Sequence, residues 1–218
     1  MSTPRTTPDI RTGRPVADYA RIVDDLSYRY DGVFSRETVA QAVQDARTHL
    51  EPLSRVPDYL PILTERFARD RLLAAAQAEG RIATSTPELL FVCVRNAGRS
   101  QIAAALAQHL SGGRVHVRSA GSAPTGEMLP FALQVLRERD IDVTEAFPKP
   151  LTNDVVHAAN VIVTMGCGDA CPVIPGKRYE DWDVADPADQ PIEVVRAIAD
   201  DIQVRVTRLL SELRVHAS

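Results

Sequence analysis

A short apolar run that leads directly into a cysteine, five residues and an arginine constrains this 218-residue chain more than any other feature. The run is Leu89–Val92, and an uninterrupted apolar run of this length is typical of a strand buried on both faces of a parallel sheet. The segment CVRNAGRS, residues 93–100, follows it, and a helix is predicted from about Arg99 to Leu110. The order strand, loop, helix predicts an anion-binding loop on a parallel α/β sheet.

The chemistry of this loop predicts a nucleophilic cysteine beside a bound oxyanion. Inward backbone N–H groups and the N-terminus of the following helix favour a tetrahedral anion, and the same positive field stabilises a thiolate at Cys93. Arg99 offers a planar, bidentate guanidinium. Asn96 and Gly98 tolerate left-handed backbone, and Ser100 is placed to donate a hydrogen bond to the Cys93 sulfur. The predicted oxyanion ligands are Val94, Arg95, Asn96, Ala97, Gly98, Arg99 and Ser100. The alternative is a buried structural thiol followed by a solvated arginine.

Strands and helices alternate through the rest of this half of the chain. Apolar or alternating runs predict strands at residues 115–119, 160–165 and 179–183. Helical spacing predicts a helix at residues 128–139 and a long amphipathic helix that opens at Pro191. Together with Leu89–Val92, these elements predict an α/β domain with a doubly wound, four-stranded parallel sheet.

The first part of the chain has a different pattern. Residues 17–82 predict a small three-helix domain, because apolar side chains recur at helical spacing and Ser35 is a plausible N-cap. A disordered tail is expected at residues 1–16, a linker at 83–87 and the catalytic domain at 88–218. Up to Thr86 the chain carries 12 Lys and Arg against 12 Asp and Glu, and this neutral balance disfavours a helix-turn-helix DNA reader.

Composition excludes several other classes of protein. A formal net charge of -4 gives no general attraction to nucleic acid or anionic membranes. We find no apolar run of the roughly 18 residues that a membrane span needs, and the polar N-terminus lacks the apolar core of a signal peptide. Three cysteines, an odd number, argue against a secreted disulfide framework. A cytoplasmic protein with catalytic thiols is therefore expected.

The segment CVRNAGRS resembles the active loop of the low-molecular-weight tyrosine phosphatases and of the arsenate reductases that share their fold. Residues 119–122, SAGS, resemble the family's segment after its second strand. Asp186-Pro187 resembles the family's Asp-Pro loop, whose aspartate is a general acid. The resemblance covers roughly residues 88–213, in order and in spacing. It implies the low-molecular-weight phosphatase fold for this part of the chain.

Asp186 also has a physical rationale of its own. An aspartate before proline is biased away from helix interiors towards extended or turn geometry. A carboxylic acid placed opposite Cys93 would protonate the oxygen that leaves the oxyanion. The alternative is that Asp186 belongs to an ordinary acidic loop together with Asp181, Asp183 and Asp189.

The two remaining cysteines distinguish a reductase from a phosphatase. Cys167 and Cys171 follow the strand predicted at residues 160–165. A phosphatase needs no second thiol, whereas a reductase needs one to expel arsenite and form a disulfide. The pair resembles that of the thioredoxin-coupled arsenate reductases, although their spacing is usually longer than Cys-x3-Cys. Gln101 also resembles the reductases, since the phosphatases typically have proline there.

The resemblance therefore implies an arsenate reductase that converts arsenate to arsenite. Cys93 would attack arsenate, and a relay through Cys167 and Cys171 would end in a disulfide open to an external reductant, either thioredoxin or a mycothiol-linked redoxin. Gly166 and Gly168 beside Cys167 favour the loop movement that this relay requires. No tightly bound cofactor is expected.

Other interpretations of the thiols stay open at this point. The first alternative is a low-molecular-weight tyrosine phosphatase. The second is a three-thiol arsenite sensor, which the presence of Arg99 and Asp186 disfavours, because a sensor would not need them. The cysteines could be structural, or could form a zinc site with Cys93, but the histidines lack ligand spacing: these are His109, His116 and His157. No metal is predicted. Ala104 stands where some thioredoxin-coupled members carry a potassium-binding glutamate, although Asn96 is retained.

The helical first domain has no counterpart in the core family, and fusions of this kind resemble actinobacterial reductases. Dimerisation, docking of a partner and stabilisation are equally compatible with its sequence.

Overall fold

The computed structural model describes residues 19–84, 86–167 and 171–214. The predicted disordered tail at residues 1–16 lies outside the described residues, as does Gly168. The chain divides into two compact units, one up to Leu72 and one from Leu73 onward. The predicted domain limits, with a linker at residues 83–87, stay a prediction.

The first unit is helical, as predicted. Its helices are α1 (Tyr19–Arg29), α2 (Arg36–Leu50) and α3 (Leu60–Ala78), and α3 continues into the second unit. Two short 3-10 turns, Glu51–Leu53 and Pro57–Tyr59, connect α2 to α3. The Ser35 side chain accepts a hydrogen bond from the backbone N–H of Thr38 at 3.2 Å, which confirms the predicted N-cap of α2. The predicted apolar stripe of α2 is buried: Val39, Val43, Ala46 and Leu50.

The second unit is an α/β layer structure around four parallel strands in the order β2-β1-β3-β4. This confirms the predicted doubly wound sheet. Its elements are β1 (Glu88–Cys93), α4 (Arg99–Ser111), β2 (His116–Gly121), α5 (Pro130–Arg137), α6 (Asn153–Ala158), β3 (Val161–Met165), β4 (Arg178–Asp181) and α7 (Ile192–Glu212).

Alternate side chains of β1 enter two separate cores. Leu89 and Phe91 pack with residues of α4, α5 and α7 on one face of the sheet. Leu90 and Val92 pack on the other face with residues of α6. All four are at most 1% exposed. Burial on both faces explains why the β1 sequence is continuously apolar instead of alternating.

Strand register brings three loops to one edge of the sheet. At its carboxyl end, β1 pairs Cys93 with Gly121 of β2 on one side and with Met165 of β3 on the other. Neighbouring strands lie about 4.8 Å apart. The loops that follow β1, β2 and β3 therefore start side by side, which is the usual place of a binding site in an open α/β sheet.

Several elements differ from the sequence-based expectation by more than one residue at an end. Strand β2 ends at Gly121 instead of residue 119, and β4 ends at Asp181 instead of residue 183. Helix α5 begins at Pro130 instead of residue 128, because Leu129 precedes a proline and is extended, with ψ 128°. Helix α6 was not predicted, since its six residues are too few to show helical periodicity. Within the described residues, no helix combines the length and the apolarity that crossing a membrane requires.

Candidate active site

The loop after β1 is held by hydrogen bonds from its outer side. Its carbonyl oxygens accept backbone N–H groups of the segments that follow β2 and precede α5. These bonds are Ser122 to Cys93 at 3.1 Å, Ala123 to Val94 at 2.8 Å, Thr125 to Arg95 at 3.2 Å and Leu129 to Ala97 at 2.9 Å. Because a peptide's N–H and C=O point in opposite directions, the loop's amides are turned towards its inside, as an anion nest requires.

The Cys93 sulfur lies inside this loop and is buried, with 2% of the residue exposed. The backbone N–H of Asn96 donates to Sγ at 3.3 Å. Ser100 Oγ lies 3.0 Å from Sγ, which is the contact expected from the sequence. Two contacts therefore hold the sulfur in place inside the loop.

Three small or permissive residues shape the loop for different reasons. Asn96 has φ 49°, the left-handed conformation predicted for it. The same prediction is wrong for Gly98, whose φ is -135°. Gly98 is instead required for space, since a Cβ there would lie 2.7 Å from Pro187 Cγ. A Cβ on Gly121 would lie 2.7 Å from the carbonyl oxygen of Val94, so the glycine of the SAGS segment lets β2 approach the loop.

Asp186 lies over the loop and contacts two arginines. Arg99 Nη2 donates to Oδ2 at 3.2 Å, and Arg99 Nη1 also donates to the carbonyl oxygen of Val184 at 3.4 Å. Arg95 Nη2 lies 3.1 Å from both Oδ1 and Oδ2. The Arg99 side chain is 12% exposed and that of Asp186 is 45% exposed. The predicted anion clamp and the predicted general acid therefore meet at the mouth of one loop.

The ionisation of Asp186 is set by opposing effects. Partial burial raises its pKa, but the Ala188 N–H hydrogen bond and the charges of Arg99 and Arg95 outweigh it, and the pKa is lowered from its ordinary value. Without an anion in the loop, Asp186 is thus an ionised carboxylate. Asp181, which the alternative interpretation grouped with Asp186 in an acidic loop, accepts a hydrogen bond from Thr164 Oγ1 at 2.6 Å.

Cys167 and Cys171 lie in the apolar core on the far face of β1, among residues such as Leu90 and Ile162. Each is 7% exposed, and no disulfide joins any of the three cysteines. Cys167 follows Met165, the register partner of Cys93, by two residues. Burial raises the pKa of Cys167, and the charge of Cys93 raises it further. Burial also raises the pKa of Cys171, to about 11.

Gly166 lies directly before Cys167, in the loop that carries Cys167 and Cys171 (the cysteine loop), and packs against Arg99 of the loop after β1 (the anion loop). Its φ is 69°, and a Cβ at this position would lie 2.8 Å from Arg99 Nη1. The residue directly before Cys167 thus forms part of the wall against which the Arg99 guanidinium rests.

A family model for the low molecular weight phosphotyrosine protein phosphatases matches residues 88–218. The chain belongs to this family. Its predicted membership is therefore confirmed. A second model, for the N-terminal domain of protein-tyrosine-phosphatase-like proteins, matches residues 19–76 and accounts for most of the helical first part.

Arsenate reductases and a phosphatase are among the relatives. A thioredoxin-dependent arsenate reductase from Corynebacterium glutamicum is 45% identical, with a TM-score of 0.82, over 89% of this chain and 96% of that one. A putative arsenate reductase from Halobacterium salinarum is 33% identical over 60% of this chain and 95% of its own length. An arginine phosphatase from Geobacillus stearothermophilus is 29% identical, with a TM-score of 0.52, over 59% of this chain and 93% of that one.

The sequence analysis missed three features of this site. It included Arg95 among the loop ligands but not its side-chain contact with Asp186. It noted Gly166 for loop movement alone, although the closer constraint is Arg99. It used Gln101 to separate subfamilies without giving it a role. No local signal could have found these contacts, since each joins segments far apart in the sequence.

The histidines considered for a metal site do not assemble one. His116 Nδ1 pairs with Glu88 Oε2 at 2.7 Å, and His157 Nδ1 lies 2.7 Å from the carbonyl oxygen of Asn153 in its own helix. Over the residues that the structure describes, no group of three or more His, Cys, Asp or Glu side chains is arranged to hold a metal ion.

Proposed function

We propose that this protein reduces arsenate to arsenite, with Cys93 as the nucleophile. The observation that carries the proposal is the position of Cys167, two residues beyond the strand partner of Cys93 and beside the loop that presents Arg99. An oxyanion site with a second thiol just beyond the neighbouring strand fits a redox reaction, whereas phosphate hydrolysis has no use for that thiol.

In the first step, residues 94–100 bind the arsenate oxyanion through backbone N–H groups and the Arg99 guanidinium. The Cys93 thiolate attacks arsenic and forms a sulfur–arsenic bond, while one arsenate oxygen leaves as water. Asp186 donates the proton to that oxygen. Its carboxylate is ionised in the free protein, so it must take up a proton as the substrate binds. A bound dianion favours this uptake, because it occupies Arg99 and places negative charge next to Asp186.

In the second step, the Cys167 thiolate attacks the sulfur of Cys93. The electron pair of the sulfur–arsenic bond passes to arsenic, which is reduced from As(V) to As(III) and leaves as arsenite. A Cys93–Cys167 disulfide remains. The Cys171 thiolate then attacks Cys167, and the electron pair of the first disulfide returns to Cys93 as its thiolate. The product is a Cys167–Cys171 disulfide, which the external reductant cleaves.

The relay needs the cysteine loop to move. A disulfide requires Cα atoms within about 7 Å of each other, and the raised pKa values of Cys167 and Cys171 keep both as protonated, weakly nucleophilic thiols while they are buried. Exposure of the loop would lower both pKa values and present the final disulfide to a protein reductant. Burial in the reduced state therefore protects the relay thiols until the loop opens.

An external thiol reductant closes the cycle, since the chain ends each turnover oxidised. We propose thioredoxin as that reductant, because the Corynebacterium glutamicum relative is a thioredoxin-dependent enzyme at 45% identity. A mycothiol-linked redoxin is the competing reductant.

Single-turnover analysis of Cys171→Ser tests the relay. This variant should release one equivalent of arsenite and stop as a Cys93–Cys167 disulfide, identified by peptide mapping. Cys167→Ser should release none, and Cys93→Ser should be inactive with its fold intact. Continuous turnover of Cys171→Ser, followed as NADPH oxidation with thioredoxin and its reductase, would rule out the three-cysteine order.

A phosphatase is the second candidate, since the same loop and aspartate serve that reaction and an arginine phosphatase is among the relatives. Aryl phosphate hydrolysis should be detectable but slow. Fast hydrolysis without arsenate-dependent NADPH oxidation would favour the phosphatase. Tight arsenite binding without turnover would favour the sensor.

A further inference from the structure

A chain of buried hydrogen bonds runs from Gln101 to the nucleophile. Gln101 Nε2 donates to Asn96 Oδ1 at 3.1 Å, and Asn96 Nδ2 donates to Ser100 Oγ at 2.8 Å. Ser100 Oγ in turn lies 3.0 Å from Cys93 Sγ. The middle of the chain is closed to solvent, since Asn96 and Ser100 are 0% exposed and Gln101 is 5% exposed.

The direction of this chain follows from donor and acceptor chemistry. Asn96 Oδ1 receives two N–H donors, one from Gln101 Nε2 and one from the backbone of Lys149 at 2.8 Å. An amide nitrogen cannot accept, so these donors fix the Asn96 side chain with its oxygen towards them and its Nδ2 towards Ser100. Ser100 Oγ accepts from Nδ2, and because a thiolate at Cys93 can only accept, the hydroxyl proton is directed towards the nucleophilic sulfur.

Gln101 also holds the segment that carries the second donor, the backbone N–H of Lys149. Its Nε2 donates to the carbonyl oxygen of Phe147 at 2.8 Å, two residues before Lys149. Lys149 is further held by a hydrogen bond from Gly121 N–H to its carbonyl oxygen at 2.8 Å. One buried amide therefore both supplies a donor to Asn96 and holds the segment that supplies the other.

We propose that Gln101 is a positioning residue for the Cys93 nucleophile, acting through Asn96 and Ser100 without touching the substrate. The proposal rests on the nucleophilic role proposed for Cys93. It gives a physical use to the glutamine at this position, because a proline side chain has no N–H to donate to either acceptor. Loss of the Gln101 donors frees the Asn96 amide to turn, and the Ser100 hydroxyl is no longer directed at sulfur.

The test compares Gln101→Met, which keeps the length of the side chain but removes its donors, with Gln108→Met on the exposed face of the same helix. The readout is the pH profile of Cys93 alkylation by iodoacetamide, followed by mass spectrometry of the Cys93 peptide. The groups that face Sγ are the Ser100 hydroxyl and the Asn96 N–H, with the Cys167 thiol also nearby. Gln101→Met should shift the profile to higher pH and slow alkylation near neutral pH about fivefold, within the worth of one hydrogen bond to a charged group. Gln108→Met should leave both unchanged.

A double-mutant cycle separates positioning from general loosening of the fold. Ser100→Ala removes the last link, so adding Gln101→Met to it should cause little further shift. An unchanged profile in Gln101→Met, or additive shifts in the double variant, would overturn the proposal. If Gln101→Met does not fold, Gln101→Leu replaces it, since its uncharged side chain also lacks donors for Asn96 and Phe147. Alkylation needs no arsenate, so this result stands apart from whether the protein turns arsenate over.

Discussion

Arg95 and Asp186, 91 residues apart in the sequence, are joined at the mouth of the anion loop, where Arg95 Nη2 lies 3.1 Å from each carboxylate oxygen. Arg95 belongs to the loop proposed to bind the oxyanion, and Asp186 belongs to the segment before α7. The contact therefore links the proposed substrate-binding loop to the proposed proton donor. It also opposes proton donation, since a neighbouring guanidinium favours the ionised carboxylate.

Replacing Arg95 should change the pH range of the reaction. In Arg95→Gln, Asp186 loses one of the charges that lower its pKa, so the pKa rises and the carboxyl stays protonated to higher pH. The basic limb of the profile of kcat against pH, which reports loss of the acid's proton in the substrate complex, should move to higher pH. Arg137→Gln, at an exposed position on α5, is the control. A basic limb that does not move would mean that Arg95 does not govern Asp186.

Replacing the acid itself should act on the chemical step. Asp186→Asn cannot donate a proton, and general acid catalysis is commonly worth about 10²-fold or more. We expect kcat for arsenate to fall by roughly that factor, with a much smaller change in KM, because the proton moves in the transition state. Steady-state kinetics with a coupled reductant measure both. An effect confined to KM would assign Asp186 a binding role.

The glycine before Cys167 should be essential for the Arg99 position. Gly166→Ala places a Cβ 2.8 Å from Arg99 Nη1, so the guanidinium must shift. We expect kcat/KM for arsenate to fall more than about tenfold, equivalent to roughly 1.4 kcal/mol. Gly176→Ala is a matched control, because its φ of 84° imposes similar backbone strain but nothing lies within 4 Å of its Cβ. Equal losses in the two variants would show that strain, and not Arg99, is responsible.

A buried charged cluster at the opposite, amino end of β1 should contribute to stability without contributing to catalysis. Glu88 is 1% exposed and pairs with Arg118, which is 4% exposed. His116 Nδ1 lies 2.7 Å from Glu88 Oε2, and Gln77 Nε2 donates to Glu88 Oε1 at 2.6 Å. Burial raises the Glu88 pKa, but the hydrogen bond with His116 and the charge of Arg118 outweigh it, and the pKa is lowered from 4.5.

Glu88→Gln should therefore destabilise the protein in a pH-dependent way. Removing one partner of a buried ion pair costs about 3–5 kcal/mol. A lowered folded-state pKa stabilises the protein above the unfolded value, and this stabilisation is lost as the pH falls through the folded value. The difference in urea midpoint between parent and Glu88→Gln should thus be largest near neutral pH and shrink at pH below 4.5. Glu193→Gln, on a 75% exposed side chain, should show little change at any pH.

The sequence by itself determined those features that are formed by consecutive residues. The strand β1, the loop and the start of α4 follow one another without interruption, so an apolar run, a Cys-x5-Arg-Ser spacing and a helical pattern were sufficient to predict the strand–loop–helix order and the Cys93–Ser100 contact. The parallel sheet was predictable for the same reason, because burial of β1 on both faces appears directly as continuous apolarity. The six residues of α6 were too short to give such a signal.

Tertiary structure alone decided which side chains meet around that nest. The contacts of Arg95 with Asp186, of Gly166 with Arg99 and of Gln101 with Phe147 depend on β1 lying between β2 and β3 in one register. Strand order and register result from the packing of distant segments, and neither leaves a periodic pattern in any one segment. The same packing decided that Gly98 and Gly121 are needed for close approach, since the atoms that a Cβ would meet there come from other parts of the chain.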